Sequence, residues 1–216
     1  MERFHWTSFD VNSLLPSDWQ AQVLRVAAEQ RTEKDLVPTS VTSREGATVT
    51  KVPVMSVGGL AVKEHLPWLY ESYRGLFLEL AQQTTSEPVV TARDDRYGAV
   101  LNVQAGADMR YECHVDSNPI EGLLYCTGHP PGTGGELVVA NSTSAADVEA
   151  VEADASVVYP VQGNLILFDA RNFAHYVRPL VDDDAVRIVV AMNFYTPSSP
   201  EEQRPPDLNR HLFGAD

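Results

Sequence analysis

The feature that most constrains the fold is a series of short β-rich runs that starts at Tyr97. The runs are separated by turn residues such as Asn118-Pro119 and Gly134-Gly135, and only 144–152 has a brief helical pattern between them. The runs are 97–104, 110–116, 122–127, 136–140, 157–160, 165–168, 174–180 and 186–195. About eight short strands without long intervening helices predict a β-sandwich, a barrel or a jelly roll.

The first 96 residues have a mixed pattern in which helical periodicity is clearest around Pro67. Apolar side chains recur every three or four residues over 66–80, which predicts a helix that packs against a sheet. Residues 17–20 have the form of a capping box and predict the start of an earlier helix. Residues 48–57 are β-branched but contain Pro53, so they predict an edge or irregular strand.

Together these patterns predict a mainly β fold with flanking helices (α+β). We expect residues 1–216 to form a single domain. In this domain 1–96 would support the sheet, 97–195 would form the core and 196–216 would be a C-terminal tail. The tail would cover the site, mediate dimer contacts or stay mobile.

The charge balance argues against nucleic acid as a partner. The chain has 16 Lys+Arg and 30 Asp+Glu, a formal net charge of −14, whereas duplex-binding proteins usually carry a basic patch. No stretch approaches the roughly 18 apolar residues of a membrane helix. The two cysteines, Cys113 and Cys126, form no CxxC pair and fit a reducing compartment. We expect a cytoplasmic protein with no nucleic acid or membrane partner, and the sequence leaves a homodimer open.

The segment His114-Val115-Asp116 lies in one of the β-rich runs and can chelate a metal ion. Residues two apart on a strand point to the same face, so the imidazole and the carboxylate are presented together. His175, in a second apolar run, can supply a third ligand. Two histidines and one carboxylate form the facial set that binds non-haem Fe(II) and leaves coordination positions open. A structural hydrogen-bonded pair is the alternative for His114 and Asp116 alone.

Arg187 lies in the last and longest β-rich run. An arginine buried on a jelly-roll strand needs an anionic partner, and a guanidinium binds a carboxylate with two hydrogen bonds. Asn193 has the same strand parity, so we expect it to face the same cavity.

Several motifs occur in one order along residues 97–195. They are Gly106 followed by Tyr111-Glu112-Cys113-His114-Val115-Asp116, then Gly134-Gly135-Glu136-Leu137, Gly163-Asn164-Leu165-Ile166-Leu167-Phe168, His175-Tyr176-Val177-Arg178-Pro179 and Arg187. In this order they resemble the core of the Fe(II)/2-oxoglutarate-dependent dioxygenases, especially the prolyl-4-hydroxylase-like branch. The resemblance covers a little under half of the chain, and it implies a core built on a double-stranded β-helix, that is, a jelly-roll or cupin-like core.

The resemblance implies a role for each matching residue. The implied iron ligands are His114, Asp116 and His175. Arg187 would pair with the distal carboxylate of the cosubstrate 2-oxoglutarate, Tyr125 would support that carboxylate, and Asn102 would help at the keto-acid end. Some relatives carry a tyrosine nine or ten residues before the first histidine, where this chain has Ala105 and Gln104.

The resemblance also implies an activity. It implies a hydroxylase that uses Fe(II), 2-oxoglutarate and O2, with ascorbate as the reductant in vitro, and that attacks an unactivated C–H bond of a small molecule. Related halogenases replace the carboxylate ligand with a small residue, so the presence of Asp116 predicts hydroxylation or a related oxidation rather than chlorination. The segment from His114 to Tyr125 is similar to small bacterial enzymes that act on free amino acids and natural-product intermediates, and we expect such a substrate.

Weaker candidates for substrate contact lie outside the motifs. These are Asn193, Arg93, Arg96 and His129. For Arg93 and Arg96, surface salt bridges with Asp94, Asp95 or Glu87 are the alternative, and for His129 the alternative is plain exposure on a loop. The segments 36–60 and 85–96 are the candidate lids.

Two other functions stay open. A peptidyl-prolyl or other protein hydroxylase would use the same chemistry but would need an open groove. A jelly-roll metal protein without oxygenase activity, such as a cupin-like isomerase or binding module, is the alternative of another class. Typical cupins contain a His-x-His grouping, which this chain lacks, and a zinc hydrolase has no need for Arg187.

Overall fold

The computed structural model describes residues 5–38, 41–45, 49, 51–205 and 208. Within these ranges the chain forms twelve β-strands and six α-helices. The strands are β1 Trp6–Asp10, β2 Thr32–Leu36, β3 Val52–Val57, β4 Val90–Thr91, β5 Ala99–Ala105, β6 Tyr111–His114, β7 Ile120–Tyr125, β8 Leu137–Ala140, β9 Ala155–Val158, β10 Asn164–Phe168, β11 His175–Val177 and β12 Val186–Tyr195. The helices are α1 Trp19–Gln30, α2 Gly59–His65, α3 Pro67–Arg74, α4 Leu76–Gln82, α5 Asp95–Gly98 and α6 Val148–Ala153.

The strands form two antiparallel sheets. The large sheet has the order β1-β10-β7-β12-β5-β3-β2, with β4 beside β12, and the small sheet has the order β6-β11-β8-β9. Neither sheet closes into a barrel. The fold is the predicted jelly roll with flanking helices, so the fold-class prediction is confirmed.

Strand β12 in the middle of the large sheet separates two packed layers. Its side chains alternate between the two faces of the sheet because of the pleat of the strand. Those that pack against the helices are Ile188, Val190, Met192 and Phe194. Those that face the interior between the sheets are Arg187, Val189, Ala191 and Asn193. The interior face is therefore where polar side chains of the large sheet can meet the small sheet.

The N-terminal helices cover the outer face of the large sheet, as the periodicity predicts. The apolar stripe over 66–80 is divided between α3 and α4, which are separated at Gly75. Both helices bury their apolar side chains in the same core, so the periodicity continues across the break and does not reveal it. Helix α1 begins near the predicted point, but Asp18 makes no side-chain capping bond there.

The prediction of an edge strand around Pro53 is wrong. Strand β3 lies between β2 and β5, and β2, which the sequence reading missed, forms the edge of the sheet. Strand β5 pairs only with Met55, Ser56 and Val57 of β3. The missing N–H of Pro53 therefore removes no hydrogen bond to β5, and the proline is tolerated away from the edge.

No helix in the described part of the chain has the length and apolar character needed to cross a bilayer.

The predicted C-terminal tail is described over 196–205 and at Leu208. Two of its residues, Arg204 and Leu208, line the interior cavity. The rest of the tail and parts of the candidate lid 36–60 lie outside the described residues.

Candidate metal centre and cosubstrate pocket

A cavity with an empty volume of about 1160 Å³, part of it open to solvent, lies between the two sheets. Its wall combines strands of both sheets. The predicted site residues that line it are His114, Asp116, His175, Arg187, Asn102 and Asn193. These residues lie up to 91 positions apart in the sequence, and the packing of the two sheets against each other brings them to one cavity.

The three predicted metal ligands lie together at the small-sheet side of the cavity. His114 on β6 and His175 on β11 are register partners, and Asp116 follows two residues after His114. One ligand atom from each residue can be chosen so that all three lie within 4.8 Å of one another. The Nε2 atom of His114 is 3.2 Å from Oδ1 of Asp116, and Nε2 of His175 is 3.6 Å from Oδ2. These distances suit three ligands that share one ion.

Both imidazole rings are held in the orientation that metal binding requires. The Nδ1 of His114 lies 2.7 Å from the carbonyl oxygen of Glu112, and the Nδ1 of His175 lies 3.0 Å from that of Phe173. A proton on each Nδ1 donates to the carbonyl, which leaves the Nε2 lone pairs for a metal. The backbone N–H of Asp116 donates to the carbonyl of Ala170, which holds the loop that carries the carboxylate.

The electrostatics of the triad also favour a bound cation. Burial opposes protonation of His114, but the charge of Asp116 and its hydrogen bond raise the pKa of His114 to about 9. Burial and the neighbouring His114 lower the pKa of His175 to about 4. Burial acts against ionisation of Asp116, but the two histidines hold its pKa below the usual value. The carboxylate is thus ionised, and a divalent cation would take the place of the proton that His114 holds.

On the large-sheet side, Arg187 is a buried cation that forms no ion pair within the described part of the chain. Its side chain is 1% exposed, and neither Nε nor Nη2 has a hydrogen-bond partner among the described residues. The hydroxyl of Tyr125, also fully buried, has no partner there either. The guanidinium carbon lies 5.3 Å from the centre of the Tyr125 ring. Buried charges are normally paired, so these unpartnered donors match a carboxylate ligand.

Gly135 makes room for this arrangement. It has a φ of +79°, and a Cβ built on it would lie 3.0 Å from Cδ of Arg187 and 3.1 Å from Cδ2 of Leu180. A side chain at this position would crowd the arginine. The Gly134-Gly135 motif therefore has a local reason in the structure, which is the close approach of the loop to Arg187.

Asn102 lines the cavity and accepts a hydrogen bond of 3.2 Å from the hydroxyl of Tyr111. Strand β6 thus places a tyrosine in the cavity, although the chain has Ala105 and Gln104 where some relatives have one. The ring of Tyr111 also lies beside that of His114, with 6.1 Å between the ring centres.

The structure brings only one of the four weaker substrate candidates to the cavity. Asn193 lines it, and its Nδ2 donates to the carbonyl of Tyr97 at 2.6 Å. Arg93 pairs with Glu202 and Arg96 pairs with Asp94 at the surface. His129 lies against the carbonyl of Val186, and none of these three lines the cavity. Both arginines thus form surface salt bridges, as the alternative predicts, but the alternative named Asp94, Asp95 or Glu87 as partners, which holds for Arg96 and not for Arg93.

Two further groups in the cavity wall were missed in the sequence. Glu121, which is 6% exposed, lines the cavity near Asp116, and Lys34 lines it from β2. Glu121 has the strand parity of Tyr125, so alternation along β7 was a signal that could have found it. Lys34 had no such signal, because β2 was not recognised as a strand.

The fold and this site define a jelly roll with a His-Asp-His facial group and a buried arginine. No protein-family model and no curated protein sequence matches the chain. A 2OG-Fe(II) oxygenase family oxidoreductase from Burkholderia pseudomallei is similar in structure, with a TM-score of 0.63 and 12% identity over 93% of this chain and 89% of that one.

Two other solved structures are similar. A prolyl hydroxylase from Trichoplax adhaerens, in complex with a hypoxia-inducible-factor peptide fragment, has a TM-score of 0.58 and 14% identity over 90% of this chain and 85% of its own. The non-haem α-ketoglutarate-dependent epimerase SnoN from nogalamycin biosynthesis has a TM-score of 0.59 and 14% identity over 99% and 88%. At these identities the similarity establishes the fold. The fold expected from the sequence resemblance, that of the 2-oxoglutarate oxygenases including prolyl hydroxylases, is confirmed.

Proposed function

We propose that the chain is an Fe(II)- and 2-oxoglutarate-dependent oxygenase that hydroxylates a small molecule. The observation that carries the proposal is the presence, within one cavity, of the His114–Asp116–His175 triad and of Arg187, whose Nε and Nη2 have no hydrogen-bond partner among the described residues. A metal-binding jelly roll without oxygenase activity would need the triad but would have no use for the buried guanidinium.

The residues have separate roles in this proposal. His114, Asp116 and His175 would hold Fe(II) on one face and leave positions open for ligands. Arg187 and Tyr125 would bind the distal carboxylate of 2-oxoglutarate, and Asn102 would lie near its keto-acid end. When bound, iron, 2-oxoglutarate and O2 would supply the oxidising power for C–H hydroxylation, with decarboxylation of 2-oxoglutarate to succinate. The chain itself contributes ligand geometry, orientation of the cosubstrate and a poorly solvated cavity.

The substrate we propose is a free amino acid or an amino-acid-like natural-product intermediate. Polar side chains that suit such a ligand line the cavity beside the apolar ones, namely Asn118, Glu121 and Asn193. The formal net charge of −14 favours a ligand that carries positive charge.

The test is release of succinate from 2-oxoglutarate by the purified protein with Fe(II), ascorbate and air, across a panel of free L-amino acids. We expect stimulation by at least one amino acid, and loss of succinate release in Arg187→Ala. Slow release that no amino acid stimulates would keep the oxygenase and favour a modified metabolite or a protein substrate. No release under any condition, with iron verified in the site, would favour the cupin-like metal protein.

A further inference from the structure

Glu121 is a buried carboxyl group in the wall of the proposed active site. It lies near the start of β7, opposite Asn193 of β12 in the register of the large sheet. Leu123 and Tyr125 follow on the same face of the strand, and all four residues face the interior; Glu121, Leu123 and Asn193 line the cavity directly. The side chain is directed inward by the pleat of a strand whose residues are all buried, so it is not a surface group that folds back.

The hydrogen-bond partners of Glu121 within the chain are uncharged, namely the amide of Asn118 and the backbone N–H of Met192. Its Oε2 accepts a bond of 2.9 Å from Nδ2 of Asn118, whose amide also donates to the carbonyl of Ile120 at 3.0 Å. Among the described residues no lysine, arginine or histidine lies within ion-pair distance of Glu121. The charged group that acts on it is Asp116, which is also negative. Burial and this neighbour raise the pKa of Glu121 well above its ordinary value.

Such a group is unusual, because buried carboxyl groups in proteins are paired or coordinate a cation. Glu45, whose side chain is 1% exposed, follows that rule and forms an ion pair with Arg110 through two bonds of 2.6 Å. Glu136, which is 5% exposed, forms no ion pair among the described residues. Glu121 also lacks a cation, and unlike Glu136 it lines the cavity.

We propose that Glu121 is the substrate-binding residue that accepts the protonated amino group of the substrate. The inference rests on the proposed function, because it takes the cavity to be the substrate site of the oxygenase. It assigns the substrate class as an ammonium compound, such as a free amino acid, rather than an amide or an N-acylated metabolite. Because burial and Asp116 raise its pKa, Glu121 holds a proton in the unliganded protein. An ammonium group beside it would favour the carboxylate, with release of that proton to solvent, and hydrogen bonds between charged groups are the stronger ones in a poorly solvated site.

The buried positive charge of Arg187 fits the same assignment. Arg187 is a buried cation and Glu121 is a buried acid, and neither forms an ion pair among the described residues. The two lie on neighbouring strands of the large sheet, β12 and β7. The cosubstrate, a dianion, would pair with Arg187 but offers no cation to Glu121, whereas a cationic substrate would.

The experiment measures binding, so that it does not depend on turnover. Protein loaded anaerobically with Fe(II) and 2-oxoglutarate is titrated calorimetrically with each free L-amino acid and with its fully N-acetylated derivative. We expect the wild-type protein to bind at least one free amino acid 30-fold or more tightly than the acetylated form. In Glu121→Gln this preference should fall below threefold, because the amide keeps the shape of the side chain and removes its charge.

Two further variants serve as controls. Glu136 is a carboxyl residue buried to the same degree, 5% exposed against 6% for Glu121, and it does not line the cavity. Glu136→Gln should therefore keep the wild-type preference. Glu121→Met replaces the group with an apolar side chain of similar length and decides the question if the glutamine variant unfolds early.

Three outcomes would overturn the inference. A wild-type protein that binds no free amino acid more tightly than its acetylated form contradicts it, and so does a preference that survives in both Glu121 variants. Iron affinity that falls more than tenfold in Glu121→Gln would show that the residue acts on Asp116 instead of the substrate. Failure of the oxygenase proposal would give a different result, because the wild-type protein would then bind no 2-oxoglutarate. In that case the same titrations with metal alone still decide the role of Glu121.

Discussion

The two halves of the cavity differ in how far the protein completes its own site. On the small sheet the triad is prepared by the chain, since each histidine ring is held by a backbone carbonyl and each Nε2 faces Asp116. On the large sheet Arg187 and Tyr125 are buried with polar atoms that have no partner among the described residues. The protein therefore positions the triad before a metal binds, whereas the polar atoms of Arg187 and Tyr125 are left for a ligand to pair with.

The difference follows from the ligands that the two halves are proposed to take. A metal ion needs precise positions and deprotonated ligands, which backbone hydrogen bonds can provide in advance. A carboxylate supplies its own charge and acceptors, so any protein acceptor placed against Arg187 would compete with it. The unpartnered arginine is therefore a cost to the unliganded fold that is offset when the ligand binds. Each of the following changes tests one side of this comparison.

The largest effect is expected on the triad. Asp116→Ala removes one of three metal ligands, and we expect iron affinity to fall by more than about 100-fold, beyond the range for residues that only orient a ligand. Hydroxylation should be abolished. Iron content after gel filtration and succinate release measure the two effects. Asp108→Ala, which removes an exposed carboxylate away from the cavity, is the matched control, and substantial activity in Asp116→Ala would refute the ligand assignment.

Arg187→Met tests the other half. In the wild-type protein, 2-oxoglutarate at 100 times its Kd should raise the free energy of unfolding by about 2.7 kcal/mol, a rise in Tm of about 5 to 10 °C for a chain of this size. In Arg187→Met that rise should disappear, while the unliganded variant is as stable as the wild type or more stable, because an unpaired buried charge is gone. Arg93→Met, a surface change, should keep the rise. Equal stabilisation of both variants by 2-oxoglutarate would contradict the assignment.

Gly135→Ala probes the support of Arg187. A methyl group would approach Cδ of Arg187 to 3.0 Å at a φ of +79°, so we expect a loss of about 1–2 kcal/mol in the free energy of unfolding and weaker binding of 2-oxoglutarate. Gly132→Ala is a matched control, because Gly132 has a φ of +88° and nothing within 4 Å of the added Cβ. It should lose stability only, and a similar effect of both variants on 2-oxoglutarate binding would exclude the crowding explanation.

The smallest effect concerns Lys34 in the cavity wall. Burial lowers the pKa of Lys34 from 10.5 to about 8, so the folded state disfavours its charge. This penalty is fully present below pH 8 and is lost as the pH rises towards 10.5. Because the residue is only partly buried, we expect Lys34→Met to be more stable at pH 7 by only about 1 kcal/mol. Urea unfolding at pH 7 and near pH 10 should show the difference shrinking, and a constant difference would contradict this account.

The sequence predicted site residues well where strand alternation places them on one face. It predicted them less well where their position depends on the path of the chain between elements. His114 and Asp116, two apart, and Arg187 and Asn193, six apart, share faces by local geometry, and all four line the cavity. For Arg93 and Arg96, no strand pattern supports the prediction of substrate contact. Their acidic neighbours at the surface decide their contacts instead.

Local pattern also has limits within single elements. The apolar stripe over 66–80 predicts the buried face of a helix correctly, but it does not show the division at Gly75, because both helices pack on one core. Pro53 predicts an edge strand because proline lacks an N–H, yet β5 ends its pairing before that residue. Which hydrogen bonds a residue must make depends on how far its neighbour strand extends, and this is a property of the sheet.

The sequence by itself determined the jelly-roll class and the identity of the candidate ligands, because strand parity, turn residues and ordered motifs are local properties of the chain. Only the tertiary structure decided which polar groups lack partners. Arg187 and Glu121 are unlike each other in sequence, but both are buried in one cavity without a counter-ion from the described residues. Whether a buried polar group has a partner depends on contacts between residues that are distant in the chain. The two sheets must pack together before such a group is enclosed, with or without a counter-charge.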